Sequence, residues 1–310
     1  MAFLWQFTVV ELNKHVLVTG TVLKSKTPID KSPRSIFANA WYVLNSYRKK
    51  VYKNKWIYIK TIQKKFSIRT DKKGYFFEIL PVKSLDEFKI YDDKQNQLMI
   101  HQIHPFYFTN QNSLVEVISD IDDTVIYSHT SSVLKRIYTL LFKRPKRRNK
   151  VLFSNALLDF FDVNKFRIAY LSKSESNLFG LITAIFRFNQ IPSGPLFLTP
   201  YLKFKSLFKP KKGNHKLKFL HELITHLPHK KFVLIGDDTQ KDMEIYTEIV
   251  SKYTHQILKV YIRQTTFFLD EAQKQKWKAL QNTGVACLYF QDDEDIDMEI
   301  VELNAVLNSL

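Results

Sequence analysis

The chain has 310 residues and a formal charge of +17, from 47 Lys and Arg against 30 Asp and Glu. Its apolar share of 45% and charged share of 25% exclude wholesale disorder, and a single cysteine, Cys287, excludes an intrachain disulfide. No run approaches the roughly 18 uninterrupted apolar residues of a membrane-spanning helix, and the opening MAFLWQFTVVELNKH lacks the basic segment of a secretory signal; the expectation is a soluble, cytoplasmic protein, with peripheral membrane contact left open.

In chain order, the first segment favours strands. His15 to Leu23, Lys55 to Ile62 and Lys65 to Thr70 alternate or are rich in β-branched and aromatic residues, and the turn Asp71-Lys72-Lys73-Gly74 precedes Tyr75 to Ile79. Such spacing predicts a small β-sandwich over 1–112, within which residues 28–54 show no regular pattern. From 113 to 310 the texture becomes strand, loop, helix. Buried runs at Leu114 to Ile118, Phe166 to Leu171, Phe232 to Ile235, Ile257 to Ile262 and Val285 to Phe290 read as strands. Helical periodicity opens at Ser174, continuing through Leu178, Ile182 and Ile185, and recurs over His215 to His226, Met243 to Tyr253 and Asp270 to Gln281. Alternating elements of this kind predict an α/β fold with a doubly wound parallel sheet.

Ligands bind beyond the carboxyl ends of such strands, and two of these ends are acidic: Ser119-Asp120-Ile121-Asp122-Asp123-Thr124 and Gly236-Asp237-Asp238-Thr239-Gln240-Lys241-Asp242. If the loops meet, like charges at ~4 Å repel by roughly 4 kcal/mol at an effective dielectric of 20. A folded protein tolerates that cluster when a cation or shared protons offset it. An all-oxygen set suits Mg²⁺ bound together with substrate phosphate, which points to phosphoryl transfer. A solvated turn is the bland alternative; a Ca²⁺ loop is disfavoured because Val125 and Ser131 stand where it needs Gly and Glu. Asp120 and Asp122, two apart, point the same way in extended backbone. One can attack phosphorus while the other handles the leaving group's proton. Lys216 can neutralise the intermediate, and Ser172 can donate to a phosphoryl oxygen.

Asp120-Ile121-Asp122-Asp123-Thr124 resembles the DxDxT signature of haloacid dehalogenase-like phosphatases. With YLSKSESNL (Tyr170 to Leu178), His215-Lys216, LIGDDTQKDMEIY (Leu234 to Tyr246) and Tyr261 to Arg263, the set is similar to the App1-type phosphatidate phosphatase catalytic domain over about 112–290, and the upstream segment ending TDKKGYF is similar to the N-terminal domain of bacterial members. The resemblance implies a haloacid dehalogenase-like sheet and a Mg²⁺-dependent phosphatase acting on a lipid phosphate such as phosphatidate. Asp120 would be nucleophile and metal ligand. Asp122 would be general acid/base, lending its backbone carbonyl to the metal. Ser172 and Lys216 would hold the phosphoryl group, and Asp237 and Asp242 would complete the metal site. Where the family often has Ser-Pro-Trp, this chain has Ser174-Glu175-Ser176, which sets an acid near the expected substrate entrance.

Two basic stretches lie between these motifs. Lys135 to Lys150 holds eight basic residues and no acid, and Lys203 to Lys212 interleaves lysines with Phe204 and Phe208. Each suits an anionic membrane surface, at about 1 kcal/mol per basic residue near it, or simply a solvated cap. A polynucleotide-end phosphatase and a catalytically idle anion-binding module are the rival readings; nucleic acid is the less favoured partner, and no protein partner can be inferred. His101 and His104 read as surface residues, Cys287 as a buried inert thiol, and Asp292 to Glu302 as a solvated helix face.

Overall fold

The computed structural model describes residues 2–24, 35–110, 112–202, 214–239, 241–292 and 294–310. Its first part contains β1 (Phe3–Glu11), β2 (Val16–Leu23), α1 (Ile36–Ser46), β3 (Trp56–Lys60), β4 (Lys65–Arg69), β5 (Tyr75–Leu80), β6 (Lys89–Asp92), β7 (Met99–Ile100) and β8 (Tyr107–Phe108). β5, β2, β1 and β7 form one sheet, with β8 also on β1, and β4, β3 and β6 form an antiparallel second one. Leu4, Phe7, Val16 and Val18 of the first sheet share a core with Ile57, Ile59, Ile68 and Ile90 of the second. The turn before β5 forms as its sequence predicts. Asp71 accepts from the N–H groups of Lys73 and Tyr75 at 2.6 and 2.9 Å. Gly74 sits at φ +72°, where a Cβ would lie 2.8 Å from the Val22 carbonyl.

The second part runs β9 (Val115–Ser119), α2 (Val133–Phe142), α3 (Leu152–Val163), β10 (Arg167–Glu175), α4 (Phe179–Phe188), β11 (Leu196–Thr199), α5 (Asn214–His226), β12 (Lys231–Asp237), α6 (Asp242–Tyr253), β13 (Ile257–Arg263), α7 (Glu271–Gln281), β14 (Ala286–Phe290) and α8 (Asp297–Asn308). The six strands are all parallel, in the order β11-β10-β9-β12-β13-β14. That is the doubly wound α/β sheet predicted, with its order reversing at β9. Alternate residues serve the two faces. Val233 and Ile235 of β12 pack with Leu157 of α3 and Ile182 of α4, whereas Phe232 and Leu234 pack with Leu220 of α5 and Ile249 of α6. Each such large side chain contributes about 1.5–3 kcal/mol on burial.

The N-terminal sheet is not a detached module. Phe3 and Trp5 join the core on the α3/α4 face, while Val10, Leu12 and Leu17 join the α5/α6 core. Arg167, which interrupts an apolar run as Glu116 does, pairs with Glu116 at 2.8 Å and donates to the Glu11 and Thr109 carbonyls at 2.7 and 3.0 Å. Several expectations are corrected here. β10 runs on to Glu175, where helical periodicity seemed to open at Ser174, so the helix begins at Phe179. His104 is buried, its Nε2 lying 2.8 Å from the Gly194 carbonyl. Cys287 is half-buried, with burial pushing its thiol up. In the acidic tail, Glu299 is buried against Lys259, at 2.7 and 2.8 Å, and also accepts from Tyr261.

Candidate active site

β9 and β12 are neighbours at the centre of the sheet, with Ser119 opposite Ile235 and the Asp120 N–H donating to the Ile235 carbonyl at 2.8 Å. Their two acidic extensions therefore leave the sheet side by side. Asp120 follows β9, Asp237 ends β12, and Asp242 opens α6. Each offers a carboxylate oxygen, and the three oxygens lie within 4.8 Å of one another. All three side chains are fully buried. Lys216, in the first turn of α5, reaches in with its Nζ 2.6 Å from Asp120 and 2.7 Å from Asp242. Gly236 leaves the room this needs: a Cβ there would come within 2.9 Å of the Asp242 Cβ and 2.8 Å of Tyr246. Tyr246 in turn anchors β12 by donating to the Ile235 carbonyl at 2.9 Å.

The charge balance is incomplete. Burial pushes Asp120 up to about 7 even though Lys216 opposes the shift, and Asp242 and Asp122 add repulsion. Burial, together with Asp242 and Asp120, also raises Asp237. The same carboxylates more than offset the burial of Lys216, so it stays cationic. Three buried carboxylates around the Lys216 ammonium, with oxygen donors only, fit a divalent cation of the Mg²⁺ type. The sign of the pH effect follows. A carboxyl raised from 3.8 to about 7 is protonated more firmly folded than unfolded, so metal-free stability should fall as pH rises from about 4 to about 7. Thermal melts with and without Mg²⁺ check this. The metal-induced rise in Tm should be larger at pH 8 than at pH 5.5, and an equal rise at both would contradict it.

Asp122 belongs to a second, adjoining group. Its Oδ2 accepts from Ser172 at 2.9 Å and Ser174 at 2.6 Å, rather than joining the other three carboxylates. Burial would raise it, but the hydroxyls of Ser174, Ser128 and Ser172 and the charge of Arg136 outweigh that and hold it below the usual carboxylate range. Ser174 was not anticipated from the sequence, though it stands two residues from Ser172 on the same face of β10. Asp123 is a scaffold residue. At φ +62° it accepts from the N–H groups of Ser128, His129 and Thr130 at 2.8, 2.8 and 2.5 Å, closing the loop after Asp120. Arg263 donates to the Asp123 carbonyl at 2.7 Å, and Asp238 accepts from Tyr289 at 2.8 Å. Thr239 fixes Asp237 through its N–H at 2.6 Å.

The N-terminal part braces this edge. Trp5 donates to the Ser176 carbonyl at 3.0 Å, and Thr21 and Ser176 hydroxyls meet at 3.1 Å. Glu175 does not face a substrate entrance as expected. It is fully buried and accepts from Tyr47 at 3.3 Å, because β10 is extended to that point and turns it inward.

Comparison with known proteins covers the segment that carries these residues. The family model of the phosphatidate phosphatase APP1 catalytic domain matches residues 115–264. Phosphatidate phosphatase APP1 of Saccharomyces cerevisiae is 30% identical over 154 residues, 48% of this chain and 26% of that protein; the chain thus matches about a quarter of its relative's length. Among solved structures, the Pnkp1/Rnl/Hen1 complex gives 12% identity over 69% of this chain and 54% of that one, with a TM-score of 0.35 that carries no structural argument. Asp120, Asp122, Ser172, Lys216, Asp237 and Asp242 all fall inside the matched segment, and over that segment the chain is similar to the phosphatidate phosphatase APP1 catalytic domain.

Proposed function

We propose that this protein is a Mg²⁺-dependent phosphoric monoester hydrolase of haloacid dehalogenase-like architecture, acting on a lipid phosphate such as phosphatidate through an aspartyl-phosphate on Asp120. The observation that carries this reading is the buried meeting of Asp120, Asp237 and Asp242 around Lys216, within a segment matching a phosphatidate phosphatase family. Asp120, Asp237 and Asp242 would hold the cation through their carboxylates and Asp122 through its carbonyl; when bound, Mg²⁺ would offset their charge and polarise the phosphoryl oxygens.

In the first step an Asp120 carboxylate oxygen attacks phosphorus and the ester P–O bond breaks. Asp122, carrying a proton at that stage, gives it to the departing alcohol oxygen. Ser172 turns its hydroxyl from Asp122 to a phosphoryl oxygen, removing one of the bonds that keep Asp122 ionised, and Lys216 neutralises the transferred group. In the second step Asp122 takes a proton from water as the water oxygen attacks phosphorus, releasing phosphate and restoring Asp120. Residues 1–112 are proposed as a β-sandwich-like domain and 113–310 as the catalytic one, with the two basic stretches as the membrane-facing rim. Lys203 to Lys212 lies outside the described residues. No helix among the described residues is long and apolar enough to cross a membrane.

A phosphate-release panel tests the reading, using phosphatidate, lysophosphatidate, sugar phosphates and end-phosphorylated oligonucleotides with Mg²⁺ or chelator. Release from phosphatidate that chelator abolishes is expected. Preference for oligonucleotides would replace the substrate class, and no Mg²⁺-dependent release from any ester would leave only an anion-binding module.

A further inference from the structure

We propose that α1 and α2 together form a docking surface that seats this protein shallowly in an anionic lipid bilayer, with the Asp122 side of the site towards the lipid. The inference rests on the phosphatase reading only for the substrate's route. Both helices bury one face in the protein core, α1 through Asn39, Val43 and Ser46 and α2 through Thr139 and Leu140. Both then leave an apolar stripe outside at four-residue spacing. On α1, Phe37 is 84% exposed and Trp41 63%; on α2, Leu134 is 81% exposed and Tyr138 59%, followed by Phe142. Single exposed apolar side chains are ordinary, but a grouped set of aromatic and aliphatic ones marks a contact surface. The two helices are tied together, because buried Asn39 donates to the Leu140 and Leu141 carbonyls at 3.1 and 2.6 Å.

Charge identifies the occupant. Neither 36–50 nor 133–150 contains an acidic residue. Arg48 lies 5.7 Å over the Trp41 ring, the arrangement of an aromatic and cation pair at a headgroup layer. A cleft beside the end of α2 is lined by His129, Lys143, Lys146, Arg148 and Lys150, with Asp292 the sole acid among the described residues. An apolar face ringed by cations fits an anionic bilayer surface. The inner side of α2 completes the case. Arg136 and Leu140 line, with Ile126, Arg148 and Ile182, a small cleft of mixed polarity that includes Asp122 and Ser174, so α2 lies over the Asp122 side of the site.

The test uses the full chain and vesicles without substrate. Phosphatidylcholine vesicles containing phosphatidylglycerol should float the wild type and shift its tryptophan emission to the blue, and Trp41→Phe should remove most of that shift. Pure phosphatidylcholine should bind far less at equal salt. The variant F37S/W41S/L134S/Y138S should bind the anionic vesicles at least about tenfold more weakly. Its Tm and its turnover of p-nitrophenyl phosphate should match the wild type, while turnover of vesicular phosphatidate falls with binding. Charge reversal, K135E/K146E/R147E, should abolish the preference for phosphatidylglycerol. Unaltered flotation of the first variant, or no flotation of the wild type, overturns the proposal. So does wild-type self-association that the first variant alone abolishes while vesicle binding persists, since the face is then a contact between copies. Vesicle binding by a wild type that hydrolyses no ester supports the docking surface while removing the phosphatase reading.

Discussion

Asp120→Asn should lower phosphate release by a factor on the order of 10⁴ or more, while making the metal-free protein more stable at pH 8. The first effect comes from the loss of the attacking oxygen anion, since an amide cannot form the acyl phosphate. The second comes from the triad's own repulsion. Burial and the neighbouring carboxylates raise Asp120 from 3.8 to about 7, so ionising it in the folded state costs up to about 4 kcal/mol. Asn keeps the shape and removes the charge. Chelator-treated melts at pH 5 and pH 8 should show the gain only at the higher pH, where the wild-type carboxyl is ionised. A variant that is inactive and also less stable at both values would mean that Asp120 is a structural residue rather than a strained nucleophile.

Lys216→Met should act in the opposite sense on stability. Lys216 lies 2.6 Å from Asp120 and 2.7 Å from Asp242 in a fully buried setting, and Met replaces its volume without its charge. Removing one partner of a buried ionic group costs about 3–5 kcal/mol, because the remaining charges are left uncompensated. Urea unfolding in chelator should show that loss, and saturating Mg²⁺ should recover much of it by supplying the missing positive charge. Activity should still fall by about 10²–10³ with metal present, as expected for a lost charge-stabilising group. Unchanged stability in chelator would show that the ion pairs do not operate in solution.

The acidic cluster was legible in the sequence because its residues stand at the ends of buried strands. Val117 and Ile118, like Leu234 and Ile235, are apolar runs that only a central parallel strand explains, and the Asp residues after them can only lie at the sheet's edge. What stayed hidden depends on partners distant along the chain. β1 shows no simple alternation, since Phe3, Trp5 and Val10 join the cores of the parallel sheet while Leu4, Phe7 and Val9 join the core of the N-terminal sheets. α1 carries apolar residues around most of its circumference, so residues 36–46 gave no helical stripe. Glu175 and His104 looked exposed because they are polar; Tyr47 and the Gly194 carbonyl, far off in sequence, meet them inside. Ser174 became a candidate for holding Asp122 only once β10 was seen to extend past Leu171.

Rapid acid quench with phosphatidate labelled on phosphorus, followed by peptide mapping, probes the chemistry at its core. Label on the peptide containing Asp120, appearing and decaying within one turnover in Mg²⁺ and missing from Asp120→Asn, is the predicted result. Full release of phosphate with no labelled peptide, or label on another side chain, would contradict it.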